Sequence, residues 1–500
     1  MRVFFIITSA ECLVDLGLFK EADSKFKMIS ELHHTPFVKS QFYIGMAKFK
    51  FQLFMTQIAK HELQLFKESV LSIPWCIPEF VARAKPSKRE KAIQSLAEYL
   101  KEALNYSFLY GTPHESAIIS HKLMLIEFFK TYLFQSLTRN PVNELIFNME
   151  IPKCLYNYRK YGTSQCEISK ETFALKENGE IEDASVWRRS FESVSDNIPE
   201  GLIVCMLNFD AKGGDLYLSR IETGKKVIFK LPLTRLATRQ GETDGLTYHD
   251  VMEEFAGIMK MNKQTTTDAR CTTKQSRRKW LDSRIALDLQ LKDLLTRIEN
   301  VWLAGFKGLL SAMAFVGPNV DEALDSFKAK IENILFNSIC KRFSATPIRL
   351  SFDVDLFKMI LRMGADPGYD EIEDFLYYLL DAYQYQGVPV IHDEIDIDTM
   401  AEEISDTIKD FFANLKRSGS SVSYEARHVV LILDKYGQTL PWESLPIMRG
   451  RSVSRLPTFA FLQDRMSISN RVVLKSCFYL LNPSGDLART EEEFKSLLEQ

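Results

Sequence analysis

A histidine, a cysteine and a run of arginines fall in the last 75 residues, and each could cut or hold a peptide. His428 opens the apolar run His428-Val429-Val430-Leu431-Ile432-Leu433-Asp434, and Cys477 opens a second at 477–481. A cysteine protease needs a thiolate to attack the carbonyl, a histidine to manage the proton and backbone N–H groups to hold the oxyanion. Neither His428 nor Cys477 has the flanking glycines that let backbone amides approach a reacting carbonyl. A histidine or cysteine beside an apolar strand is ordinarily a packing residue, and both are read so. The arginines lie in Arg449-Gly450-Arg451-Ser452-Val453-Ser454-Arg455, beyond the C-terminal end of the first strand. Open α/β sheets place ligand sites at that end. Arginine side chains and loop amides suit an anion, which makes Arg449, Arg451, Ser452 and Arg455 candidate substrate-binding residues. The competing reading is that these arginines pair with carboxylates such as Glu443 and fix the loop. Trp442 is read as core.

The other reactive side chains point to no site. Eight cysteines are scattered without a CxxC pair, which argues against zinc and against a disulfide framework, and favours a reducing cytoplasmic or nuclear compartment. The pair His33-His34 suits surface or capping roles. Arg83, Lys85, Lys88, Arg89 and Lys91 could read as a nuclear address, but a solvated loop around Pro86 accounts for them. The acidic stretch 393–398 lacks the glycine-turned calcium loop. No cofactor and no metal is implied.

Those residues need elements to carry them. Five hundred residues make two to four domains, and 46% hydrophobic residues supply ample core. A net charge of −3 gives no argument for nucleic acid. No apolar run reaches the ~18 residues of a membrane span, so no membrane partner is expected. The apolar start, Met1 to Ile7, is too short for a signal peptide and reads as a helix end. Helical spacing covers 1–160: a helix–turn–helix around Gly17, loosely like one tetratricopeptide unit, then 37–68, 88–106 and 115–137. Stacked helices of an α-superhelix are expected there, with a polar linker at 161–185. Apolar runs at 202–207, 216–221 and 227–233, separated by Gly/Asp turns, predict antiparallel hairpins. A Thr- and Lys-rich stretch at 261–275 predicts a mobile loop. Leu287, Leu291, Leu294, Ile298 and Val301 then mark the seam of a long helix. A strand is predicted at 348–354, helices at 371–385 and 400–415, and a new sheet from 426 onward.

Pro441-Trp442-Glu443-Ser444-Leu445-Pro446 and Arg449-Gly450-Arg451-Ser452-Val453-Ser454-Arg455-Leu456-Pro457 resemble the opening of the separase protease domain. Further stretches agree in order: Trp187-Arg188-Arg189 with Asn197-Ile198-Pro199-Glu200, then Arg278-Lys279-Trp280, Phe306-Lys307-Gly308 and Leu480-Leu481-Asn482-Pro483-Ser484-Gly485-Asp486-Leu487. The resemblance spans about 185–500. It implies an α-superhelix at 1–160, then a caspase-like pseudo-protease or substrate domain at 186–425 with a helical insertion at about 275–345. The beginning of the active protease domain would occupy 426–500. It implies a cysteine endopeptidase that cuts the cohesin kleisin subunit at anaphase, with securin as partner. Separase substrates carry an acidic residue or phosphate before the cleaved arginine, and the 449–455 loop would meet it. The family dyad sits in Gly-His-Gly and Gly-Cys motifs. This sequence contains neither Gly-His nor Gly-Cys, and the dyad is expected after Gln500. Two alternatives stay open: a protease of the related CHAT type, which shares the Pro-Trp-Glu strand exit, and a non-catalytic fragment that binds securin or substrate.

Overall fold

The computed structural model describes residues 2–30, 35–73, 88–133, 141–163, 184–210, 213–242, 245–267, 273–340, 349–388, 390, 394–424, 427–467 and 479–498. It divides into residues 1–461 and 462–500.

The larger unit starts with helices α1 (Arg2–Asp15), α2 (Phe19–Ser30), α3 (Pro36–Met55) and α4 (Lys60–Glu68). After strand β1 (Leu71–Ile73) come α5 (Lys88–Tyr110), α6 (Pro113–Tyr132), α7 (Pro141–Thr163) and α8 (Ala184–Asp196). Gly17, at φ +75°, makes the predicted turn between α1 and α2 in the left-handed region open to glycine. Ile7, Ala10 and Val14 of α1 then pack on Ala22, Phe26 and Ile29 of α2. Thr112 caps α6 by accepting from the Glu115 amide, while the Glu115 carboxylate accepts from the Thr112 amide.

Strands β2 (Leu202–Phe209), β3 (Asp215–Glu222) and β4 (Lys225–Pro232) form the predicted meander, in register Leu207↔Leu218 and Leu218↔Phe229. The chain continues through α9 (Arg235–Arg239), α10 (Tyr248–Thr267), α11 (Lys274–Arg297), a π-turn (Ile298–Leu303) and a 3-10 segment (Ala304–Leu310). It then runs through β5 (Ala314–Val316), α12 (Val320–Cys340), α13 (Val354–Leu361), α14 (Tyr369–Tyr385), α15 (Ile397–Arg417) and β6 (Ser421–Ser423). Last come β7 (His428–Leu433), 3-10 turns at Gly437–Thr439 and Trp442–Ser444, β8 (Val453–Leu456), α16 (Phe459–Ser467) and α17 (Ala488–Leu498).

Several expectations are overturned. No new sheet begins at 426: β7 pairs in parallel with β2, Leu202↔His428 to Leu207↔Leu433, and the six-stranded order is β1-β4-β3-β2-β7-β8. Apolar side chains on both faces of β2 and β7 are what a central parallel pair requires. The N-terminal region is not helix alone, because β1 pairs with β4 at Leu71↔Lys230. Three residues carry too little periodicity to announce a strand, and only the pairing edge of β4 makes one. The strand predicted at 348–354 is absent over its described residues. Leu350 and Phe352 are buried in alternation, but the Phe352 amide donates to the Glu332 carboxylate at 2.9 Å and Asp353 caps α13. The predicted 261–275 loop is shorter, since α10 reaches Thr267 and α11 starts at Lys274 behind the Thr273 cap. The helical hairpin therefore begins at Tyr248, ahead of 275.

In the C-terminal unit Tyr479–Leu481 is not strand, while Cys477 and 472–474 lie outside the described residues, as do His33, His34, Arg83 and Lys85. Asn482, at φ +50°, accepts from the Leu487 amide and donates to Glu491 at 2.8 Å, so the Asn-Pro-Ser-Gly-Asp run is a turn that opens α17.

Candidate functional site

The C-terminal ends of the parallel strands β2 and β7 form one edge, built around Asp434. Its side chain accepts from the Phe209 amide at 2.8 Å, from Gly437 at 2.7 Å and from Tyr436 at 3.1 Å. It thereby ties the end of β2 to the turn after β7. Burial pushes its carboxyl up, against the pull of those amides and of Lys153. Trp442 is buried, as read from the sequence, and donates its indole N–H to the Gly437 carbonyl at 2.8 Å. Phe209 lies between Trp442, Trp302 and Tyr248, at ring separations of 6.3, 5.7 and 4.9 Å. A small hollow of about 180 Å³ opens there, lined by Phe209, Asp210, Tyr248, His249 and Tyr436 among others.

The loop from 441 to 457 leaves this edge. Arg455, on β8, is committed inward. It donates to Glu443 at 2.7 and 2.8 Å, to the Gln438 carbonyl at 2.6 Å and to the Leu440 carbonyl at 2.9 Å. Burial works to raise the Glu443 carboxyl, but the Arg455 contacts outweigh it and hold it below its usual range. Arg455 is thus a strut of the loop, as the competing sequence reading had it. Arg449 and Arg451 stay exposed. Arg449 donates to the Ser444 carbonyl at 3.1 Å, and the Arg451 guanidinium sits 3.4 Å from the Tyr424 ring centre. Gly450 turns the loop at φ +72°. Ser452 is exposed, and its hydroxyl is hydrogen-bonded to His428 Nδ1 at 2.6 Å.

His428 is held on both ring nitrogens, with Ser454 on Nε2 at 2.7 Å. It lies at the N-terminal end of β7, the far end of the sheet from Asp434. Since β8 runs parallel to β7 with Val453 opposite Val429, Ser452 and Arg451 lie at that end too, not at the C-terminal end expected from the sequence. That place and those partners agree with the structural role read from the sequence.

Sequence reasoning missed the residues that hold this edge from behind. Glu299, on the π-turn, accepts from the Ile447 amide at 2.8 Å and pairs with Lys307 at 3.5 Å. Burial raises its carboxyl despite these partners. Lys153 of α7 donates to Asn208 at 2.6 Å and to the Ile432 carbonyl at 3.3 Å, reaching the ends of β2 and β7 together. Burial pushes its ammonium down and the neighbouring Glu150 carboxyl up. Glu150 accepts from the Phe459 amide at 2.8 Å, at the start of α16. No spacing could announce these residues, because the backbone groups they hold lie 148 to 309 positions away.

The family model described as "Separin, protease domain" matches residues 211–500, more than half of the chain. The chain belongs to the separase family. Separin of Schizosaccharomyces pombe is 31% identical over 375 residues, which is 70% of this chain and 20% of that protein. Separin of Emericella nidulans is 28% identical over 337 residues, 63% of this chain and 16% of that protein. The chain therefore spans about a fifth of the length of these curated relatives. A crystal structure of the Saccharomyces cerevisiae separase–securin complex matches at a TM-score of 0.71 and 20% identity, over 92% of this chain and 30% of that one. That likeness speaks to the fold: separase-family helices followed by a caspase-like α/β region. Among the described residues no helix is long and apolar enough to cross a membrane.

Proposed function

We propose that this separase-family chain is part of a cysteine endopeptidase that cuts the cohesin kleisin subunit at anaphase, acting in cytoplasm and nucleus. The family match over 211–500 carries the reading. Within it, the 500 residues supply the sheet edge and the strand-exit loop against which the reacting strands would pack. Arg449 and Arg451 are the side chains free to meet an acidic or phosphorylated residue ahead of the cut. Arg455 keeps the loop in place, and Ser452 stands beside them. The chain also serves as a binding module toward securin, the partner present in the matched yeast complex.

With no Gly-His or Gly-Cys, these residues bind and orient a peptide without forming a thioester. A kleisin peptide with an acidic residue and a following arginine should bind the chain and remain uncut. Arg449→Ala with Arg451→Ala should weaken that binding by about tenfold, the effect expected of lost charge-assisted hydrogen bonds. Cleavage abolished by Cys477→Ser, or binding indifferent to both arginines, would overturn the reading.

A further inference from the structure

A cavity of about 300 Å³ opens at the opposite end of the sheet from Asp434. Its floor is the start of β2 and β4 and the end of β3, and α12 and α13 form its wall. Six-residue strands place it about 20 Å from Asp434. The return of the 441–457 loop, at Ser452 beside His428, reaches this end of the sheet. The proposed proteolysis uses nothing here.

The charges of this cavity do not balance. Among the described residues, Glu222 alone faces three guanidiniums: Arg220 on Nε, Arg362 at 3.2 Å and Arg427 at 3.4 Å. Asp355 alone faces two ammoniums, Lys225 at 2.6 Å and Lys358 at 3.3 Å. Five cations thus rest on two carboxylates. The two other carboxylates of the lining, Glu200 and Asp321, are exposed at the rim, where water screens them. Lys226, also in the lining, is already paired with Asp196.

Nor are the donors used up. Arg220 is 2% exposed, and its Nη1 donates to the Leu309 and Ser311 carbonyls. Its Nη2 and the Nε of Arg362, which is 8% exposed, have no acceptor among the described residues. Burial and the neighbouring guanidiniums push Arg362 down to about 10, the mark of a cation held without enough negative charge. Buried cations in this excess are rare unless something neutralises them.

We propose that this cavity binds a phosphate monoester dianion. Such a group carries about −1.5 to −2 charge and three acceptor oxygens, which complements an excess of guanidinium and ammonium donors. A single carboxylate would leave most of that excess standing. Arg427, Lys358 and Lys225 face the opening and would contact the phosphate. Arg220 and Arg362 sit behind them, hold Glu222 in place and supply positive field. The phosphate could come from a phosphorylated serine or threonine of a peptide, or from a free phosphorylated small molecule. The chemistry of recognition is the same.

Titration calorimetry on the full chain tests this at constant ionic strength. The probes are inorganic phosphate, a phosphoserine peptide and its unphosphorylated twin. Phosphate-bearing probes should bind and the twin should not. Arg427→Gln and Lys358→Gln should each weaken binding by about tenfold or more, as expected for a lost charge-assisted hydrogen bond. A peptide that binds well above inorganic phosphate identifies a peptide source, and equal binding identifies a small-molecule source. Both outcomes support the site. If either variant fails to fold, Lys225→Gln, whose side chain is 57% exposed, carries the test. Heats that are absent for every phosphate probe, or equal in wild type and variants, overturn the proposal.

Discussion

Arg455 and Arg449 are six residues apart and do different work. Arg455 has four acceptor atoms, both oxygens of Glu443 and the carbonyls of Gln438 and Leu440, whereas Arg449 has one carbonyl and is exposed. Arg455→Ala should therefore speed amide exchange at Val453–Leu456 and at 438–440, with a local loss of about 1–2 kcal/mol. Arg449→Ala should leave the same amides unchanged. Equal effects would remove the distinction between strut and binding residue. His121 gives a second prediction at this scale. It lies half-buried on α6 against Tyr217, with its Nε2 buried, and burial lowers it from 6.5 to about 4. A histidine whose folded value is depressed binds its proton more readily when unfolded. Its contribution is complete above pH 6.5 and falls away as pH drops from 6.5 toward 4. Over that window the loss is about 3 kcal/mol at most. Calorimetric Tm should fall from pH 7 to pH 4.5, and His121→Phe should flatten that fall. An unchanged slope would show that other groups govern it.

At the scale of elements, the junction after α11 is held from several sides. The backbone turns at Ala304 with φ +41°, a conformation a non-glycine residue rarely adopts. Arg235 holds the turn by donating to the Trp302 carbonyl at 2.9 Å and the Leu303 carbonyl at 3.3 Å. Asp374, fully buried on α14, is the counter-charge for both Arg235 and Arg239 at 2.7 Å. Burial would raise its carboxyl, but the two arginines prevail and lower it. Asp374→Asn removes the close ion-pair partner of both Arg235 and Arg239 and should cost about 3–5 kcal/mol, read as a drop in Tm. Gly308 lies close by, where an added Cβ would meet the Met359 carbonyl oxygen at 1.9 Å. Gly308→Ala should cost about 3 kcal/mol or more, and a neutral outcome would mean that α13 can shift away. Little of this junction was legible. Phe306-Lys307-Gly308 stood out only by resemblance, while the seam from Leu287 to Leu294 and the meander β2–β4 were plain from periodicity. Local periodicity reports which face is buried. It does not report the partner, so β1, the β2–β7 pairing and the Asp374 cluster stayed hidden. The separated Leu350 and Phe352 misled for the same reason: they alternate as a strand does, yet their amides bond to side chains.

On the scale of the larger unit, the N-terminal helices are tied into the sheet. β1 extends β4, and Tyr132 of α6 clamps Ser72 by donating to its carbonyl at 2.6 Å and accepting from its amide at 2.9 Å. Lys153 and Glu150 of α7 hold β2, β7 and the start of α16. A protease site engineered at 170–175 and cut should therefore leave the two pieces together on gel filtration. Separation under native conditions would show that these ties are too weak to join the pieces. The helical hairpin α10–α11 has a mechanical meaning of its own. Trp280, near its tip, is 19 residues from Glu299, and the axial rise of a helix makes that a lever of about 28 Å. The short arm of the lever ends on the Ile447 amide. A load that swings the tip by about 3 Å turns the base by about 6° on that lever, a few tenths of an ångström at the amide. A shift of that size moves this 2.8 Å bond across much of the normal range of hydrogen-bond lengths. Whatever grips the hairpin far from the 441–457 loop pulls on the loop through the Glu299 carboxylate.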